Sequence, residues 1–163
     1  MSAREEAALL VTEIRRSLAV LDRIELFYDE HAAPGESDEQ RTTTRAIVIA
    51  ETLVNYYTCL ETVFFRISQY FENHLASDRS HTDLLDRMVL SIPNTRPRVI
   101  GDATHHALRE LLRFRHFKRY YFEFDYDWDR LDFLRKKLSD ARGSVRAELD
   151  AFIVALEAIA ADS

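Results

Sequence analysis

The residues best equipped for chemistry lie between positions 106 and 121. His106, Arg109, Arg113 and His116 recur at spacings of three, four and three, which lines them along one side of a helix. Arg115 falls beside them on a partly apolar stripe with Leu108 and Leu111, and Lys118, Arg119, Tyr120 and Tyr121 follow directly. Phe122, Phe124, Tyr126 and Trp128 then continue the aromatic run. A solvated helix has no need of so many rings, and a core segment has no need of so many charges. Cations with interleaved aromatics suit an anionic ligand that also stacks, and RNA is the first candidate.

Each of these residues also has a plainer use. An arginine on an apolar stripe must be paired, because an isolated interior charge is very costly. A salt bridge from Arg115 to Glu61 and a ligand-facing role for Arg115 both stand on this reading. Tyr120 and Tyr121 either stack a base, donate to phosphate, or cover the end of a helical bundle. His105–His106 invites a metal reading with Asp102 or His116, but adjacent histidines diverge on a helix and no third ligand has suitable spacing. A glycine-rich phosphate loop, a cysteine pair, HExxH and GxSxG are all missing, so the sequence calls for no metal and no cofactor.

Long helices must position these groups, since 163 residues contain three Gly and three Pro. Ser2-x-x-Glu5 is a capping box that predicts a helix to about His31, with Leu10, Ile14, Leu18, Leu21 and Ile24 as its apolar stripe. Ala33-Pro34-Gly35-Glu36 ends it. Ser37-x-x-Gln40 predicts a second helix to about His74, apolar nearly all round between Ile47 and Phe71 and therefore central. Asn55 and Glu61 are unexpected there, and a hydrogen bond and an arginine pairing to neighbouring helices are expected of them. Ser80-x-x-Asp83 predicts a short helix with Leu84, Leu85, Met88 and Val89. Asp102 is expected to cap a helix to about Phe117, residues 118–126 to form a connection, with a short extended piece at Tyr120, Phe122 and Phe124 as the alternative, and Asp127 to cap the last long helix. The expected fold is all-α, an up-and-down bundle of four long helices plus a short one in a single domain over 1–163.

Composition agrees. A chain with 47% hydrophobic and 31% charged residues is an ordinary globular protein able to bury its own core. Cys59 lies in an apolar run and is expected to be a buried small hydrophobe, consistent with a reducing cytosol. Met1–Glu6 lacks an apolar signal core and no stretch approaches ~18 uninterrupted apolar residues, so the expectation is neither secretion nor a membrane span. The net charge of −6 argues against indiscriminate nucleic-acid binding. It conceals a local net of +5 over 96–119, where seven cations face only Asp102 and Glu110. A basic patch on an acidic body can focus an anion or dock an acidic partner.

Several stretches resemble HepT-like proteins of the HEPN superfamily. Tyr56-Tyr57-Thr58-Cys59-Leu60-Glu61-Thr62-Val63-Phe64 is similar to the family's central helix, and Ser80–Met88 to the short helix beyond it. Arg96-Pro97 is similar to the following turn. The closest likeness is Leu112-Arg113-Phe114-Arg115-His116-Phe117 with the aromatic run to Leu131. The resemblance implies a small helical domain, a homodimer, and a toxin–antitoxin pairing with an MNT-type nucleotidyltransferase. It implies metal-independent RNA cleavage in active members, through an Arg, four to six residues, and a His, facing across the dimer. The HepT form of the motif is Arg-x4-His-x-Tyr, whose Tyr the partner enzyme can adenylylate. Here Arg115 matches the Arg, while Tyr120 stands at the His position and Phe122 at the Tyr position. Arg109 and His116 satisfy the looser spacing within one helix.

The leading expectation is a cytoplasmic, RNA-binding homodimer with metal-independent ribonuclease chemistry. Arg115, His116 and Tyr120 are its catalytic candidates. Arg109, Arg113, Lys118, Arg119 and Tyr121 are its RNA- or nucleotide-binding candidates. The alternative is an inactive interaction module that docks the nucleotidyltransferase or binds a nucleotide.

Overall fold

The computed structural model of the chain describes residues 1–72 and 81–162. Its helices are α1 (Ala3–His31), α2 (Thr43–Glu72), α3 (His81–Arg87), α4 (Asp102–Tyr120) and α5 (Trp128–Ala161). The result is an all-α bundle of four long helices and a short one. α1 packs on α2, α2 on α4, α4 on α5 and α5 back on α1, with α2 and α5 also meeting across the centre. No helix among the described residues is long and apolar enough to cross a membrane.

The expected stripes make the core. Leu10, Ile14, Leu18 and Leu21 of α1 meet Ile49, Leu53, Tyr56, Leu60 and Phe64 of α2, all buried. α5 contributes Leu131, Leu134, Leu138, Val145, Leu149 and Leu156, while α4 inserts Leu108, Leu111, Leu112 and Phe114. The capping box at Ser2 forms with Glu5, and the Asp127 carboxylate accepts from the Asp129 amide at 2.9 Å, so α1 and α5 begin where their sequences predict.

Four expectations need correction. The Ser37 box with Gln40 forms, but it closes a single 3₁₀ turn over Asp38–Gln40 rather than opening α2. Arg41 leaves helical geometry, drawn to Asp132 at 2.9 Å and over the Trp128 ring at 5.0 Å. Thr42 then caps α2 by accepting from the Arg45 amide at 3.2 Å. Second, α2 is not apolar all round. Glu51, Asn55, Thr58, Thr62 and Gln69 form an exposed stripe along it, and Asn55 faces solvent instead of bonding a neighbouring helix.

Third, the N-cap of α4 is Gly101, not Asp102. The cap is supplied from α5: the Glu148 carboxylate accepts from the Gly101 amide at 2.7 Å and from the Thr104 hydroxyl. A Cβ at position 101 would stand 3.0 Å from Glu148 Oε2, so glycine is what admits this close approach. Fourth, α4 runs on to Tyr120, three residues past Phe117. Residues 121–127 form the connection without strand pairing. The Ser80 cap and the expected end of α2 at His74 lie outside the described residues.

Ionic clusters fasten the connections. Arg135 is 1% exposed, yet it grips Glu36 twice, at 2.7 and 3.1 Å, and donates to the Ala32 carbonyl. Arg45 reaches the same carboxylate, so the α1–α2 turn is pinned to α5 and α2 at once. Gly35 takes φ +126 inside that turn, a backbone state that side chains disfavour. The buried Arg96 does the equivalent between Glu72 at the end of α2 and the Arg87 and Leu90 carbonyls.

Candidate functional site

α4 divides its faces as an amphipathic helix must. Thr104, Ala107, Leu108, Leu111, Leu112 and Phe114 are buried, while His106, Arg113 and His116 are exposed and Arg109 is half-buried on the far side. Arg115 lies on the flank that looks at α2.

Of the two positions expected for Arg115, the structure shows the pairing. Its guanidinium donates to both Glu61 oxygens, NH1 at 3.0 Å and NH2 at 2.8 Å, in a two-pronged contact. NH1 also donates to Thr58 Oγ1 at 3.3 Å, and the group lies 5.0 Å from the Tyr57 ring centroid. The two side chains are only 16% and 13% exposed, so the pair sits at the surface's edge without being buried. A guanidinium has five N–H donors. Among the described residues, the Nε–H and one NH2 hydrogen have no partner.

Glu61 has a second partner that the sequence did not single out as functional. His81, the first residue of α3, lies with Nδ1 3.0 Å from Glu61 Oε2. Its ring stands 6.0 Å from the His116 ring, edge to face at 73°. Three helices thus bring together an arginine, a carboxylate and two imidazoles. Burial pushes the His116 imidazole below its ordinary pKa, and the Arg115 and His81 charges push the same way against the opposing pull of Glu61. Beside them opens a groove of about 470 Å³ between α2 and α3, lined by Thr58, Glu61, Phe65, Arg66, His81 and Leu84 among others.

The other sequence candidates spread along α4 and beyond. Arg113 donates to Glu110 at 2.9 Å, and Lys118 reaches across to Glu51 at 2.9 Å. Among the described residues no hydrogen bond or ion pair engages Arg109. Arg119 lies over the Tyr120 ring at 5.7 Å, and Tyr120 is 73% exposed at the end of the helix. Tyr121 packs inward: its ring stacks on Phe117 at 4.8 Å and its hydroxyl donates to the Asp125 carbonyl at 2.6 Å. Phe122 and Phe124 are 82% and 61% exposed. Arg115 and His116 therefore share one cluster, Tyr120 ends the same helix, and Tyr121 serves the turn. Cys59 is half-buried, with its thiol pushed up by burial and directed at the Ser17 carbonyl, which suits packing more than nucleophilic work.

His81 was not identifiable as a site residue from spacing. It stands 20 residues from Glu61 and 35 from His116, on a separate short helix, and only the packing of α3 against α2 and α4 unites them.

Compared with known proteins, the chain matches a family model described as HepT-like protein over residues 48–156, about two thirds of its length. No curated protein and no solved structure matches it.

Proposed function

We propose, for a chain that belongs to the HepT-like protein family, the role of an RNA-binding toxin component that works as a homodimer and cleaves RNA without a metal. The observation that carries this reading is the clustering of Arg115, His116, Glu61 and His81, of which Glu61 and His81 line a groove. An arginine with two spare donors offers a phosphate contact, and an imidazole kept neutral near pH 7 offers a base. Arg109, Arg113, Lys118 and Arg119 add positive potential along the same helix, and Tyr120 presents an open ring for stacking on a base. The proposed partner is an MNT-type nucleotidyltransferase acting as antitoxin, with both proteins in the cytosol.

Exposed apolar side chains support the dimer. Phe122 and Phe124 project from one short segment, and a second copy that covers them would also bring two basic helices together. Such a cleft is a place where an anion relieves repulsion between like charges.

A second reading has its own support. The family's His and Tyr positions hold Tyr120 and Phe122, and neither contacts the imidazole cluster through any described hydrogen bond. On that reading the domain docks the nucleotidyltransferase or binds a nucleotide and has no turnover.

Incubating structured RNA and total tRNA in excess chelator separates the two. The first reading expects cleavage by the wild type and its loss in Arg115→Ala. Since that change strands Glu61, an Arg115→Ala/Glu61→Gln double variant with an unaltered melting curve serves as the fold control. RNA that stays intact with the wild type, alongside binding to a nucleotidyltransferase, favours the second.

A further inference from the structure

We infer that His81 and His116 form a two-imidazole acid–base pair, with Glu61 as the positioning residue for His81; the inference rests on the RNA-cleavage reading above. Tyr120 stands at the position where the family places its histidine, and a phenol is a poorer base at neutrality than an imidazole. The structure supplies a replacement from a different helix.

The geometry assigns the roles. Glu61 Oε2 accepts the Nδ1–H of His81, a residue that lines the groove, so the proton available for transfer is one carried on Nε2. The same carboxylate holds Arg115, so one residue sets the mutual positions of the phosphate-binding cation and one imidazole. The His116 ring stands 6.0 Å from His81, so both rings can address one phosphodiester seated on Arg115. The groups facing this pair are Glu61 from α2 and Arg115 and Arg119 from α4, in addition to each imidazole facing the other. Partial desolvation and the Arg115 charge lower the pKa of the largely exposed His116, which suits it to act as the base, and the Glu61 contact orients the His81 ring as the partner that serves the leaving group.

The step balances as a transesterification. His116 takes the proton of a ribose 2′-OH, and the 2′ oxygen forms a bond to the adjacent phosphorus. The P–O5′ bond breaks, and His81 Nε2 delivers its proton to the departing O5′. The products are a 2′,3′-cyclic phosphate and a 5′-OH. No electron transfer, metal or co-reactant is needed.

The test is the pH profile of RNA cleavage in chelator for the wild type, His81→Gln, His116→Gln and Glu61→Gln, alongside histidine ring NMR. The wild type should give a bell. A base must be neutral, so rate rises with pH through the His116 titration; an acid must be protonated, so rate falls as His81 loses its proton. His116→Gln should lose the acidic limb and His81→Gln the alkaline limb, each with a fall of about 10²-fold or more. Glu61→Gln should shift the alkaline limb and the His81 ring titration together, a coupling that the NMR reads even without turnover. Wild-type rates and both limbs in His81→Gln would overturn the pair and leave the ribonuclease reading standing. A wild type that never cuts RNA would overturn both.

Discussion

Glu61 holds the site together at the scale of single residues. One carboxylate takes both prongs of Arg115 and the Nδ1 of His81, although it sits on the helix that forms the centre of the bundle. The Arg115 pairing was legible in the sequence, because a cation on an apolar stripe and an acid in an apolar run must find each other. His81 was not, because its partners come from two other helices with no shared period. Tyr120 tests the reading directly. It ends α4 in solvent, five residues after Arg115. Tyr120→His should raise metal-free cleavage if the backbone aims that position at the groove, measured as initial rates on one structured RNA. An unchanged rate would show that position 120 points away from the substrate and that the pair beside Arg115 works alone.

Among the helices, what the sequence encoded locally was readable and what tertiary contacts impose was not. The stripe of α1 and the caps at Ser2 and Asp127 follow from short-range chemistry. Three boundaries moved, two of them because distant groups took over and one for want of a local stop. Glu148 caps α4 from another helix, Asp132 and Trp128 pull Arg41 out of helical geometry, and α4 persists through Lys118 and Arg119 with neither Gly nor Pro to stop it. The α1–α2 turn depends on Glu36, whose carboxyl the Arg135 and Arg45 hydrogen bonds hold down to about 2. A depressed carboxylate stabilises the fold above its unfolded pKa of about 4.3 and loses that contribution as pH falls toward 2. Thermal midpoints should therefore drop between about pH 4.3 and pH 2. In Glu36→Gln that part of the acid transition should vanish. The variant should also be less stable at neutral pH, by less than the roughly 3–5 kcal/mol of an uncompensated buried charge, because Arg135 stays buried with Asp132 as its remaining counter-charge. Equal denaturant midpoints for the two proteins would show that the turn is held by other contacts.

As a whole molecule, the protein carries a basic helix within a chain whose net charge is −6. Generic attraction for RNA is therefore weak, and binding must come from the local face. Phosphate contacts release counterions, so affinity should fall linearly on a log–log plot as salt rises. Lys118→Ala/Arg119→Ala should weaken binding and flatten that slope by up to about two, while the fold survives because both lie at the surface. An unaltered slope would place the RNA elsewhere. The exposed Phe122 and Phe124 predict a dimer in sedimentation at micromolar concentration, and Phe122→Asp/Phe124→Asp should return it to a monomer. A wild-type monomer would remove the shared cleft.

The central claim is that the groove beside Arg115 performs RNA chemistry, and the termini of the RNA products test it most directly. Mass spectrometry of a structured RNA incubated in excess chelator should find 2′,3′-cyclic phosphate and 5′-OH ends with the wild type and intact RNA with Arg115→Ala. Identical fragments from both proteins, or ends of another kind from the wild type, would contradict it.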